Sequence, residues 1–166
     1  MMTPRENMMA VFNRQQPDYY GDFMSALQFV LDPVFMRDAI PQDGKIHYDG
    51  WGTAFCFRPD SVGAHPVVND QNAVIKDIEN WKEQLHVPTL EGLDWDAAVE
   101  QAKQVNRDEY FCALFCAGGL FERSHHLMGM QNALINYLEY PEEMAGILRA
   151  IADYKIEYLK LAAKYL

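Results

Sequence analysis

The sequence predicts a helix-rich α/β fold, and three observations carry that reading. Tyr110 to Ala117 is apolar on both faces, as in a buried parallel strand. Gly118-Gly119 ends this run, and a helical pattern opens directly afterwards at Leu120, which makes a βα unit. Along the rest of the chain, helical periodicities outnumber strand-like stretches. The pattern alone leaves an open doubly wound sheet and a barrel segment both open, because each covers parallel strands with helices and places ligands at the carboxyl ends of the strands.

Taken in order, Thr3-Pro4-Arg5-Glu6 predicts the first helix: Thr caps, Pro fits the first helical position and Glu closes a capping box. Met8, Met9, Val11 and Phe12 form its apolar side, and Pro17 stops it by Gln15 or Gln16. Asp22 to Leu31 is aromatic and of open state, with a short helix as one reading, closed by Asp32-Pro33. Lys45 to Phe57 predicts two short strands or one bulged strand around Gly50-Trp51-Gly52. Pro59, Gly63 and Pro66 mark a loop from Arg58 to Asp70.

Ile75, Ile78, Trp81 and Leu85 recur at helical spacing and predict a helix from about Asn72 to Leu85. Trp95, Ala98, Val99, Ala102 and Val105 predict another, capped by Asp94. After the central strand and its glycines, one helix is expected from Leu120 to Leu138. A last one opens at Pro141 with Met144, Ile147, Leu148, Ile151, Tyr154, Tyr158 and Leu161 on one face. Its acids come early and Lys155, Lys160 and Lys164 come late, as the helix dipole favours.

A chain of 166 residues with 49% hydrophobic and 13% aromatic content can bury a core and is one domain at most. Fourteen Lys plus Arg against 24 Asp plus Glu leave a net charge of −10. No basic cluster is present to neutralise phosphates, so nucleic acid and anionic membrane surfaces are disfavoured as partners. The longest apolar run is shorter than the roughly 20 residues that span a bilayer. The N-terminus lacks the apolar core of a secretion signal, and three cysteines show no disulfide framework, so a reducing cytoplasm is the expected location.

Two constellations could carry chemistry. Gly118 and Gly119 let backbone approach a ligand while the next helix N-terminus favours an anion; a plain tight turn is the alternative. The run Glu122-Arg123-Ser124-His125-His126 follows on the first turns of that helix. Glu122 and His126 stand at i and i+4 and could pair as acid and base, or the run is a salt-bridged helix start. Adjacent histidines without a third ligand at helical spacing make a poor metal site, and no metal ligand is assigned. The second constellation is His47-Tyr48-Asp49-Gly50-Trp51-Gly52, where Asp49 could face a cleft with Trp51 as a wall for a flat ligand. An Asx-type turn with a core Trp is the other reading.

The order of Thr3-Pro4-Arg5-Glu6 with Pro17-Asp18, Asp49-Gly50-Trp51-Gly52, His65-Pro66, Asp77 to Trp81, Gly119-Leu120-Phe121-Glu122-Arg123, Leu127-Met128-Gly129-Met130 and Tyr140-Pro141-Glu142-Glu143 resembles the uroporphyrinogen decarboxylase superfamily. The resemblance implies the N-terminal half of a (β/α)8 TIM barrel over residues 1–166, since whole barrels take about 250 residues. Such a half should self-associate into a homo-oligomer or join a C-terminal half.

That superfamily holds cofactor-free decarboxylases, which remove acetate carboxyls from a cyclic tetrapyrrole, and zinc-dependent methyltransferases, which pass methyl groups between corrinoid proteins and other acceptors. Asp49 best matches the Asp that binds pyrrole N–H groups, but the arginine segment that grips substrate carboxylates has no counterpart in Tyr19 to Leu31. His125 stands where the decarboxylases carry a Tyr. The resemblance therefore implies corrinoid-linked methyl transfer before porphyrin biosynthesis, with a small molecule or a corrinoid protein as substrate. A non-catalytic tetrapyrrole-binding remnant is a third possibility. Asp49 and His125 become the expected catalytic residues, and Trp51, Gly118, Gly119, Glu122, Arg123 and His126 the expected substrate-binding ones. Zinc is expected in the C-terminal half and no cofactor in this one.

Overall fold

The computed structural model describes residues 1–166 as a mixed, helix-rich α/β structure. Helix α1 (Pro4–Phe12) has the expected capping box, with the Glu6 amide donating to Thr3 Oγ1 and the Thr3 amide to Glu6 Oε2. After a 3-10 turn at Phe23–Ala26, the segment of open state becomes strand β1 (Leu27–Val30). Asp32-Pro33 then starts helix α2 (Pro33–Arg37) rather than ending an element. Buried Asp32 accepts from the amides of Val34 and Phe35, so the Asp and Pro are an N-cap and a first helical residue.

Strands β2 (Ile46–Tyr48) and β3 (Ala54–Cys56) form the expected pair around Gly50-Trp51-Gly52, joined antiparallel by the two-residue β4 (His65–Pro66). The expected helix from Asn72 to Leu85 is largely absent. Only α3 (Trp81–Gln84) is helical, because side chains take the backbone donors. Asn69 Oδ1 accepts from Gln71 and Asn72, Asp77 Oδ1 from Glu79, and Gln84 Oε1 from Lys76 and Asp77. Ile75, Ile78 and Leu85 are still buried: the apolar positions are right and the element is not.

Helix α4 (Asp96–Gln104) begins beside Asp94, whose carboxylate accepts from the Asp96 amide. Strand β5 (Phe111–Leu114) pairs in parallel with β1, Leu27 opposite Phe111 through Val30 opposite Leu114. The helix expected over Leu120 to Leu138 is two helices, α5 (Leu120–Met128) and α6 (Met130–Glu139). Gly129, at φ +85, separates them, its amide closing α5 on the His125 carbonyl while its own carbonyl opens α6.

Helix α7 (Pro141–Tyr165) is the spine of the core. Met144, Ile147, Ile151, Tyr154, Tyr158 and Ala162 are its buried face, set against Val30, Trp51, Trp95, Ala98 and Leu127. The strands form one two-stranded parallel sheet and one three-stranded antiparallel sheet, and no closed barrel. No helix is long and apolar enough to cross a membrane.

Candidate functional site

Beyond the carboxyl ends of β1 and β5 lies a cavity of about 690 Å³, within the range of small-molecule sites. The tight turn after β2 delivers Asp49. Its Oδ1 accepts from the amides of Trp51 (3.0 Å) and Thr53 (2.9 Å), and Gly52 at φ +79 closes the turn. Its Oδ2 pairs with Arg123 Nη1 from the first turn of α5. The Asx turn and the cleft-facing carboxylate are thus one and the same structure. This ion pair is well shielded, with side-chain exposures of 3% for Asp49 and 12% for Arg123. The guanidinium also lies 5.1 Å from the Trp51 ring, and Trp51 meets Tyr154 edge to face at 4.9 Å.

A second arginine locks the opposite wall. Arg37 donates to Asp38, to Tyr154 Oη (2.8 Å) and to the Thr89 carbonyl (2.9 Å), joining α2, α7 and the loop before α4. Asp38 also accepts from the Gly50 amide at 3.0 Å. A Cβ on Gly50 would stand 2.8 Å from both Arg37 Nε and Asp38 Oδ1, so this close approach requires glycine. Burial alone would lower the Arg37 pKa, but the hydrogen bonds to Asp38 and Tyr154 outweigh it and the net direction is up. Burial pushes the Tyr154 hydroxyl up as well.

Three further side chains close the cavity. Tyr158 donates to Asp32 Oδ2 at 2.8 Å, and burial together with that bond holds its hydroxyl protonated. Lys155 Nζ donates to the Ala117 carbonyl (3.1 Å) and to Cys116 Sγ (3.3 Å). His126 meets the Phe55 ring edge to face, and its Nδ1 is buried without a partner. Burial, then the charges of Arg123 and His125, push its pKa down to about 4, so it is neutral at pH 7.

Of the residues singled out from the sequence, Asp49, Trp51, Gly118, Arg123 and His126 line this cavity. His125, Gly119 and Glu122 do not. His125 packs on Phe121 and against His126. Glu122 makes no hydrogen bond to His126; its carboxylate folds back over Gly119, where a Cβ would collide with it. Sequence reasoning missed Arg37, Asp38, Lys155 and the outward roles of Tyr154, Tyr158 and Cys116. The charged pair Arg37-Asp38 beside an Asp-Pro helix start was the available signal for the first two. For the α7 residues a core face is indistinguishable from a cavity wall.

The methyltransferase branch of the resemblance implies zinc, and the donor set here does not fit that ion. No three His, Cys, Asp or Glu side chains converge. Asp49 is spent on Arg123 and two amides, and the Cys116 sulfur faces an ammonium. No family model, curated protein or solved structure matches the chain.

Proposed function

We propose that the chain is the N-terminal half-barrel of a uroporphyrinogen-decarboxylase-like protein acting in corrinoid-linked methyl transfer, with the cavity holding the small molecule that gives or takes the methyl group. The observation that carries this reading is the meeting of Asp49, Trp51 and Arg123 with Ala117 and Gly118 around one cavity at the carboxyl ends of a parallel strand pair. Barrel enzymes work at that end of their strands. The zinc of the methyltransferase branch would be held by ligands outside residues 1–166. This chain's own part is to bind and orient: Trp51 and its aromatic neighbours exclude water, while Asp49 and Arg123 fix the wall.

Charge favours methyl transfer over tetrapyrrole decarboxylation. Both carboxylates that face the cavity are paired with arginines, so Lys155 is the one lining cation without a carboxylate partner. A porphyrinogen with several acetate groups would meet one counter-ion in a chain of net charge −10. A second reading, a binding module without chemistry, is favoured by the same pairing, which leaves neither carboxylate free for acid–base work.

Equilibrium dialysis of the 166-residue chain against methylcobalamin and against uroporphyrin tests the proposal. Saturable retention of methylcobalamin is expected at the mouth of the cavity, whose volume of about 690 Å³ holds only the smaller methyl partner. It should weaken at least about tenfold in Ala117→Trp, which fills that mouth without entering the core. Equal retention by that variant, or preferential retention of uroporphyrin, contradicts it. Turnover of methyl groups by the chain joined to a zinc-binding half would separate enzyme from binding module.

A further inference from the structure

The charges lining the cavity do not cancel. Asp38 is held by Arg37 and Asp49 by Arg123, and His126 is neutral. What remains is Lys155, whose Nζ touches a carbonyl oxygen and a sulfur and has no carboxylate within 4.0 Å. An ammonium carries three donors, so one is uncommitted. Its position is fixed by those two bonds and by the middle of a 25-residue helix, which leaves little side-chain freedom to lose on pairing with a ligand.

The surroundings specify the rest of the ligand. Fifteen of the 22 lining residues are hydrophobic, so the body that fills the space is apolar. Gly118, at φ +66 with open space where a Cβ would stand, lines the same cavity and leaves the Lys155 side of it unobstructed. The Glu122 carboxylate folded over Gly119 offsets the partial positive charge of the α5 start, so the sign of the cavity is set by Lys155 alone. The net charge of the chain opposes an anion only at long range, since salt screens charges beyond about 8 Å while a shielded contact pair is screened far less.

We infer that the cavity takes a monoanion with an apolar body, an aromatic or aliphatic monocarboxylate, and that Lys155 is its counter-ion. This rests on the cavity being the binding site proposed above, and it adds the chemical class of its occupant. A neutral analogue forgoes the ion pair. A dianion brings a second charge into apolar surroundings without a partner.

Isothermal titration of the chain with naphthoate, naphthamide and naphthalene dicarboxylate tests this. Naphthoate is expected to bind at least about tenfold more tightly than either of the others. Lys155→Met, which keeps the apolar stem, should erase the preference over naphthamide, and Lys155→Arg should keep it. Equal affinities, no naphthoate binding at millimolar concentration, or a preference that survives Lys155→Met would each overturn the inference. Should Lys155→Met fail to fold, the comparison of the three probes on the unaltered chain still decides. Loss of methylcobalamin retention with the naphthoate preference intact would remove the methyl-transfer reading alone. Retention without the preference would remove only the inference about charge.

Discussion

Asp49 shows how one side chain can be both a turn former and a wall of the site. Two amides of its own turn fix Oδ1, and Arg123 fixes Oδ2 from a helix 74 residues away. Removing one partner of so shielded a pair strands the other charge. Arg123→Met is therefore expected to cost about 3–5 kcal/mol in urea denaturation, and Arg123→Met combined with Asp49→Asn distinctly less. A double variant as unstable as the single one would show that packing of the guanidinium on Trp51, not charge, is what matters. His126 gives the pH dependence. Its pKa falls from 6.5 in the unfolded chain to about 4 when folded, so between those values the unfolded state binds more protons. The stabilisation is complete above pH 6.5 and is lost as pH falls toward 4. After allowance for solvent screening it amounts to about 1–2 kcal/mol. In His126→Gln, the drop in urea midpoint between pH 7 and pH 5 should shrink; an unchanged drop would assign it to other groups.

At the scale of elements, what the sequence reveals depends on whether the decisive interaction is local. The capping box of α1 and the Pro141 start of α7 lie within a few residues, and both are legible. The stretch from Asn72 to Leu85 has helical spacing because Ile75, Ile78 and Leu85 face one core, yet Asn69, Asp77 and Gln84 divert its amides into turns. Spacing reports burial, and only the backbone donors report conformation. Strand β1 was illegible for the converse reason: its partner β5 lies more than eighty residues away, and Leu-Gln-Phe-Val has no alternation of its own. The break at Gly129 is not legible, since a glycine inside an apolar pattern is tolerated in helices. Its φ of +85 is strained for any L residue, so Gly129→Ala should cost about 1–3 kcal/mol, whereas an ordinary helical glycine exchanged for alanine gains about 0.4–1 kcal/mol. A stabilised Gly129→Ala variant would mean that α5 and α6 can run on as one helix.

Across the whole molecule, the cavity is assembled from segments that no local pattern connects. The turn after β2, the end of β5, the start of α5 and the middle of α7 contribute Asp49, Ala117, Arg123 and Lys155 in turn. The first three stood out in the sequence because glycines or dense polar runs surround them. Lys155 was hidden among dipole-favoured lysines, and Tyr154 and Tyr158 among core residues. Phe29, Leu31, Phe115, Leu120 and Phe121 remain exposed around the same end of the parallel pair, whose two outer edges carry no further strand. Amide hydrogen exchange, with and without saturating naphthoate, tests most directly whether this end of the molecule is the ligand site. Added protection is expected at residues 49–53, 115–123 and 151–158, with the α1 and α4 amides unchanged. A second groove lies between residues 87–93 and α7; protection confined to it, or none at residues 115–123, would contradict that placement.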